Sequence, residues 1–204
     1  MPLIFACIAP HAGDLIPETI ADQNIVAPTR KSMYAMGSTL ESLKPETVVI
    51  INPHGFRVQG VLSVSVAERA TAYWASDVKL DFEMDPTIAN AIADKATEMN
   101  VPVVKYIYGA SSGPECFVPL DWGAVVPLYF MGHRFTPKPK IVHCSPMRTL
   151  PLATHYEFGR AIGRVLKESD KRIAFIASAD QGHAHDANGP YGFDPASAKY
   201  DAWM

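Results

Sequence analysis

Three of the seven histidines follow apolar runs of the sequence within a few residues, and these are the side chains best placed to do chemistry. The histidines are His11, His54 and His183, and the runs cover residues 3–9, 47–51 and 173–177. In parallel α/β sheets, ligands bind outside the carboxyl ends of the strands, so we expect these side chains to lie close together. Two neutral imidazoles that meet in a cleft are typical of Zn, Fe, Cu or Ni sites, and an added carboxylate gives the facial triad of non-haem Fe(II) enzymes. The sequence therefore predicts His11 and His54 as metal ligands.

The sequences around His11 and His54 are alike, which strengthens the pair as a hypothesis. Each histidine directly follows a proline, in Pro10-His11 and Pro53-His54, and each proline comes just after an apolar run. A single loop histidine is more often solvated or hydrogen-bonded than bound to metal, so neither residue would predict a site alone. The spacing is not a local signature such as HExxH, and the prediction depends on the sheet bringing two separate loops together.

His183 lies in a polar segment, SADQGHAHD, that covers residues 178–186. An imidazole titrates near neutral pH, and a neighbouring carboxylate can orient it, so this segment suits a general acid or base. The alternative is a polar turn whose Ser and Asp side chains only satisfy the backbone. We therefore take His183 as the candidate catalytic acid/base, with that structural alternative left open.

The remaining motifs are weaker or missing. His133 and His155 do not follow buried strands, and His143 lies within a short apolar segment where it is expected to be packed or hydrogen-bonded. No GxSxG nucleophile elbow occurs, and neither GxxxxGK[ST] nor GxGxxG is present. Their absence argues against a serine hydrolase of that type and against a nucleotide enzyme.

The elements that must position the histidines form an alternating pattern of strands and helices. Apolar and β-branched runs predict strands over residues 3–9, 47–51, 61–66, 101–108, 140–144 and 173–177. Helical spacing predicts helices over residues 17–43, 86–99 with Asp85 as its cap, 119–131 and 154–167. This order predicts an α/β fold with a central, mostly parallel or mixed sheet flanked by helices and a site at the C-terminal strand ends.

Composition limits the class of protein. The chain has 204 residues, 48% hydrophobic and 19% charged, with a formal net charge of −3, which is typical of one globular domain over residues 1–204. The sequence stops where a helix begins, after Pro195, so we expect a chain truncated at its C-terminus. Interspersed charges and the lack of a long apolar segment predict no nucleic-acid and no membrane partner. Three cysteines without CxxC spacing favour a reducing compartment, and we expect a cytoplasmic protein.

Together these motifs resemble the class III extradiol ring-cleavage dioxygenases of the catalytic B-subunit (LigB-like) type. The motifs are Pro10-His11, Asn52-Pro53-His54-Gly55, Leu120-Asp121-Trp122-Gly123, Ser178–His183 and Gly189–Pro195. The resemblance runs over essentially the whole chain, and it lies in the order and spacing of the motifs.

The resemblance implies a function and a role for each histidine. His11 and His54 would bind Fe(II), and His183 would act as the acid/base that handles a substrate hydroxyl proton. The substrates would be O₂ and a catechol or aminophenol, in the catabolism of aromatic compounds, and a homo-oligomer or a small partner subunit would be expected. The family's third ligand is a glutamate, expected here beyond Met204. Trp122 stands where the family often has a histidine, and an indole offers only an N–H donor.

Two other functions fit the same residues. A non-catalytic binding or regulatory relative on the same scaffold is suggested by Trp122 and by the missing glutamate. A zinc-dependent hydrolase would use His11 and His54 to activate water. Arg57 and Arg148 could each meet a substrate carboxylate, although a solvated surface arginine is the commoner case.

Overall fold

The strands and helices follow the predicted alternation. The computed structural model describes residues 2–19, 24, 26–74 and 78–204. Its strands are β1 (Leu3–Ala9), β2 (Thr47–Ile51), β3 (Leu62–Ser65), β4 (Arg69–Trp74), β5 (Val78–Glu83), β6 (Val103–Tyr106), β7 (Tyr108–Gly109), β8 (Cys116–Pro119), β9 (Lys140–Ser145) and β10 (Ile173–Ser178). Its α-helices are α1 (Ala27–Ser42), α2 (Pro86–Glu98), α3 (Trp122–Leu128), α4 (Leu152–Glu168) and α5 (Pro195–Trp203).

The central sheet has six strands in the order β1-β10-β2-β9-β3-β6. All neighbouring pairs are parallel except β3 and β9, so the sheet is mixed. Strand β10 lies between β1 and β2, so the first two strands along the chain are near neighbours in the sheet. Ser178 at the end of β10 pairs with Ala9 at the end of β1, and Ala177 pairs with Ile51 at the end of β2. The loops after these three strands therefore leave the sheet side by side.

Helices cover both faces of this sheet. Because alternate side chains of a strand point to opposite faces, β2 contributes to two cores. One core contains Val48 and Ile50 of β2, Met33 and Leu40 of α1, and Val125 and Leu128 of α3. The other contains Val49 of β2, Ile92 of α2, and Phe158 and Ile162 of α4. The structure thus confirms the predicted fold class, including the position of the strand ends at one edge.

A second sheet was not predicted from the sequence. It has four strands in the order β5-β4-β8-β7. The predicted strand over residues 101–108 is divided between the two sheets, because β6 belongs to the six-stranded sheet and β7 to this one. Strands β7 and β8 are short, and β4 and β5 alternate buried with more exposed residues, so none of the four is a long continuous apolar run.

Helix boundaries also differ from the predicted ones in two places. The predicted helix over 17–43 begins as an α-helix only at Ala27, and its residues 20–23 and 25 lie outside the described residues. The predicted helix over 119–131 starts at Trp122, because Asp121 caps it by accepting a hydrogen bond from the Gly123 N–H. Asp85 caps α2 as predicted, with its side chain accepting from the Ile88 N–H.

None of the helices in the described part of the chain is both long enough and apolar enough to cross a lipid bilayer.

Candidate metal centre

The structure brings His11 and His54 together at the ends of β1 and β2. Their Nε2 atoms are 3.1 Å apart, and the two rings meet edge to face. The His11 side chain is buried, and 13% of the His54 side chain is exposed. The two predicted ligands therefore lie side by side, with their Nε2 atoms turned toward each other.

Asp180 adds a carboxylate to this pair. It follows β10, the strand between β1 and β2, and its Oδ1 atom is 2.9 Å from His11 Nε2. Its Oδ2 atom is 3.9 Å from His54 Nε2. In the sequence, Asp180 stands out only as a carboxylate near His183, and a third ligand is expected beyond Met204. The signal that could have found it was its position just after a third buried strand.

The spacing of these three side chains fits a metal ion. One ligand atom from each of His11, His54 and Asp180 can be chosen so that all lie within 4.8 Å of one another. Ligands about 2.1 Å from an ion and at right angles to each other are about 3 Å apart. The separations of 3.1 Å and 2.9 Å match that arrangement, and the third, 3.9 Å between His54 Nε2 and Asp180 Oδ2, is wider. The donor set, two imidazoles and one carboxylate, is the one expected for a transition metal.

A hydrogen bond fixes the protonation of His11. Ser178 donates its hydroxyl proton to the Gly123 carbonyl, so its oxygen is left to accept from His11 Nδ1, 2.8 Å away. Neutral His11 then carries its proton on Nδ1, and its Nε2 lone pair faces His54 and Asp180. Metal-binding histidines are commonly oriented by such a bond to the other ring nitrogen.

His54 is fixed through its backbone and its ring face. Its N–H donates to Asn52 Oδ1 at 2.8 Å, and its ring packs against the Trp122 indole with centroids 4.3 Å apart. Burial, together with the nearby His11, lowers the pKa of His54 below the ordinary histidine value. His54 is therefore held as a neutral imidazole, the form that binds metal. Trp122, which stands at the family's histidine position, packs against a candidate ligand.

A buried network behind the centre holds Asn52. The Asn52 amide group donates to Asp121 Oδ2 at 2.9 Å and lies 2.8 Å from His143 Nε2, and Tyr106 OH is 3.0 Å from His143 Nδ1. Asn52 Oδ1 already accepts from the His54 N–H, so the amide NH₂ must face His143, whose Nε2 is the acceptor. His143 is therefore neutral, and burial lowers its pKa accordingly. This confirms that His143 is packed and hydrogen-bonded.

Two glycines allow this network to close. A Cβ atom at Gly123 would lie 2.2 Å from Asn52 Oδ1, and one at Gly55 would lie 2.6 Å from the His143 ring. Real Cβ contacts are almost never shorter than 3.0 Å. Glycine is therefore required at both positions by close approach to polar side chains.

His183 lies at the outer side of the centre. Its Nε2 atom is 3.6 Å from Asp180 Oδ2, and its Nδ1 is 2.6 Å from the Gln181 carbonyl oxygen. A carbonyl can only accept, so Nδ1 carries a proton and Nε2 faces the centre. The His183 side chain is 42% exposed, and Tyr191 packs edge-on against its ring. A ring with one nitrogen aimed at the centre and a face open to solvent can exchange protons with both.

The other singled-out residues lie elsewhere. His185 pairs with Asp201 at 2.8 Å, and His155 lies 3.1 Å from the Pro151 carbonyl oxygen on α4. His133 stacks on Tyr129. Arg57 and Arg148 are both exposed, and Arg148 is near enough to contribute to the lowering of the His54 pKa.

Comparison with known proteins agrees with the fold class. Residues 6–204 match the family of the catalytic LigB subunit of aromatic ring-opening dioxygenase, and the chain belongs to this family. The family supports a dioxygenase-type enzyme. The chain is also similar to the protein CA_C1420 of Clostridium acetobutylicum, with 27% identity over 199 residues, which cover 95% of this chain and 42% of that protein. The chain thus spans less than half the length of the relative it matches.

Proposed function

We propose that the chain is the metal-binding part of a non-haem Fe(II)-dependent extradiol dioxygenase that cleaves a catechol or aminophenol ring with O₂. The observation that carries the proposal is the convergence of His11, His54 and Asp180 within ligand distances of one another. Two histidines and one carboxylate on one face are the donor set of Fe(II) oxygenases, whose open positions accept substrates. Family membership supports ring opening as the reaction class.

Each residue has a distinct task in this proposal. His11, buried and bonded to Ser178, and His54, bonded through its backbone to Asn52, hold the ion in a fixed position. Asp180 supplies the carboxylate within this chain, in place of the glutamate expected beyond Met204. Bound Fe(II) would supply a redox-active centre with positions for the two ring oxygens and for O₂.

His183 is proposed as the acid/base. Its Nε2 atom lies next to Asp180, so a ring hydroxyl held at the centre would be within reach of the imidazole. The open face of His183 lets the proton pass to solvent, which a buried histidine could not do. The ring would pack near Trp122 and Phe56, both of them exposed aromatic side chains close to His54.

Oxygen consumption tests the proposal. Full-length protein loaded anaerobically with Fe(II) is mixed with catechol, 4-methylcatechol or 2-aminophenol in air-saturated buffer, and an oxygen electrode follows uptake. We expect uptake that requires both iron and the ring, with two ¹⁸O atoms entering the product from ¹⁸O₂. Absence of uptake with all three rings would overturn the proposal. Zinc without iron in protein from unsupplemented cultures would support the zinc hydrolase instead.

A further inference from the structure

A small pocket opens directly beside the candidate metal centre. Its volume is about 250 Å³, and His54 contributes to its wall. The other walls include Phe56, Tyr106, Ile107, Tyr108 and Val118. A molecule held by the centre could therefore extend into this pocket without leaving His54.

The size of the pocket limits what it can hold. An apolar cavity of about 150 Å³ already accepts benzene, whereas pockets for drug-sized ligands begin at about 300 Å³. At about 250 Å³, the pocket has room for part of a single ring and a short substituent.

Its walls offer apolar and aromatic contact. Phe56 stacks on Tyr106 with ring centroids 4.5 Å apart, and both Phe56 and Tyr108 are about half exposed or more. The Tyr106 hydroxyl already bonds to His143, so Tyr106 presents its ring to the pocket. Exposed aromatic side chains grouped around a concave surface commonly mark a ligand site.

The described residues that line the pocket include an acidic side chain but no lysine or arginine. Asp121 is its acidic residue, and its two carboxylate oxygens accept hydrogen bonds from the Gly123 N–H and from the Asn52 amide. Arg148 acts on His54 but does not line the pocket. A substituent that enters there therefore meets a negative charge and apolar walls.

The geometry points to a substituent-selecting subsite: the pocket of Phe56, Tyr106, Tyr108 and Asp121 accepts the uncharged or cationic substituent of a single-ring diol and rejects a carboxylate substituent. This inference rests on the proposed function, because it assumes that the ring oxygens face His11, His54 and Asp180. Two like charges a few ångströms apart in a partly buried site repel by more than the thermal energy. The apolar walls add a gain for an alkyl chain.

Binding without oxygen tests the subsite. Three catechols that differ only at position 4 are titrated calorimetrically into Fe(II)-loaded full-length protein under nitrogen: 4-ethylcatechol, 4-(2-aminoethyl)catechol and 3,4-dihydroxyphenylacetate. We expect the carboxylate to bind at least about tenfold more weakly than the other two. Because no turnover is involved, a protein that consumes no O₂ can still pass this test, and the two failures are distinguishable.

Variants locate the effect in the pocket. Ile107→Trp should fill it and weaken binding of 4-ethylcatechol by about tenfold. Leu152→Trp, at an exposed position of α4, is the matched control and should leave binding unchanged. If circular dichroism shows that Ile107→Trp is unfolded, Phe56→Ala replaces it, because Phe56 is half exposed and its loss leaves the core intact.

Several results would overturn the inference. One is binding of 3,4-dihydroxyphenylacetate that is as tight as, or tighter than, binding of the other two catechols. If Arg148→Ala then abolishes the binding of 3,4-dihydroxyphenylacetate, the charge preference belongs to Arg148 instead of the pocket. Others are unchanged 4-ethylcatechol affinity in folded Ile107→Trp, or in Phe56→Ala where that variant replaces it. Failure of all three catechols to bind would also overturn it.

Discussion

Histidines lie in two regions, at the ends of β1 and β2 and in the loop after β10. The two regions differ in how far they enclose the histidine side chains. His11 and His54 are enclosed, and hydrogen bonds to the protein orient both of them. His183 is 42% exposed, and its partner is the carbonyl of Gln181 in its own loop. A metal ligand must be neutral and immobile, whereas a proton carrier must reach solvent. In the proposed function, the same residue type thus suits two different tasks because the surroundings differ.

Removing one histidine from each region should separate metal binding from turnover. We expect His54→Ala to weaken iron binding by more than the about 10- to 100-fold that loss of an orienting hydrogen bond costs. His183→Ala should keep its iron and lose about 100-fold or more in turnover, as expected for an acid/base. Iron content after dialysis and oxygen uptake measure the two effects. Loss of iron in His183→Ala would make His183 a ligand and break the comparison.

Adding one methyl group should show the same contrast in stability. Gly123→Ala would push a Cβ to 2.2 Å from Asn52 Oδ1, so we expect a loss of about 1–3 kcal/mol in the free energy of unfolding. In the loop after β10, a Cβ at Gly189 would lie 3.2 Å from the Asp186 carbonyl oxygen. We therefore expect Gly189→Ala to change the free energy of unfolding by only about 0.5 kcal/mol. Urea denaturation of the metal-free proteins measures both. Equal losses would mean that the network is no tighter than the loop.

Identical substitutions of two non-ligand histidines sharpen the comparison further. His143→Phe removes the acceptor that holds Asn52, and we expect metal affinity to fall by about tenfold because the His54 loop is less well oriented. His185→Phe removes a partner of Asp201 in the outer region and should leave metal affinity unchanged. Competition with a chelator gives both affinities. Unchanged affinity in a folded His143→Phe would show that the network does not position His54.

The smallest expected effect is on pH dependence. Burial lowers the pKa of His143 in the folded protein, so below the ordinary value of 6.5 the unfolded chain binds more protons than the folded one. The stability of metal-free protein is therefore complete above that pH and declines as pH falls through it. His143→Phe should flatten this decline, with the remaining slope due in part to His54, whose pKa is also lowered. A steeper decline in the variant would contradict the assignment of His143 as neutral.

The sequence predicted the main sheet well because its strands are continuous apolar runs. Residues 3–9 and 47–51 form β1 and β2, and residues 140–144 and 173–177 lie in β9 and β10. Strands β2, β9 and β10 lie inside the sheet and are mostly buried, and Val, Ile and Ala predominate in β2 and β10, whereas β1 at the sheet edge is only partly buried. The four-stranded second sheet was missed because β4 and β8 mix buried and half-exposed residues over short lengths. Val78–Glu83, which forms β5, does carry a signal, because its apolar and charged residues alternate as in a half-buried strand.

The site was predicted in part. Strand-end position was enough to select His11 and His54, since any residue just after a buried parallel strand lies at the ligand-binding edge. The same rule would have selected Asp180, but its proximity to His11 depends on β10 lying between β1 and β2, a strand order that sequence spacing does not give. The Asn52 and His143 contact has the same origin, because the pairing of β9 with β2 brings together these two residues, which are 91 positions apart in the chain.

The sequence by itself determined which residue types stand at which strand ends, because apolar runs and the turns that end them are local properties. Only the tertiary structure decided which of those ends meet, which imidazole is buried and which is open to solvent. The order of strands in a sheet results from long-range pairing and from packing of helices on both faces. Asp180 is near His183 in the sequence, and the strand order also brings it next to His11 and His54.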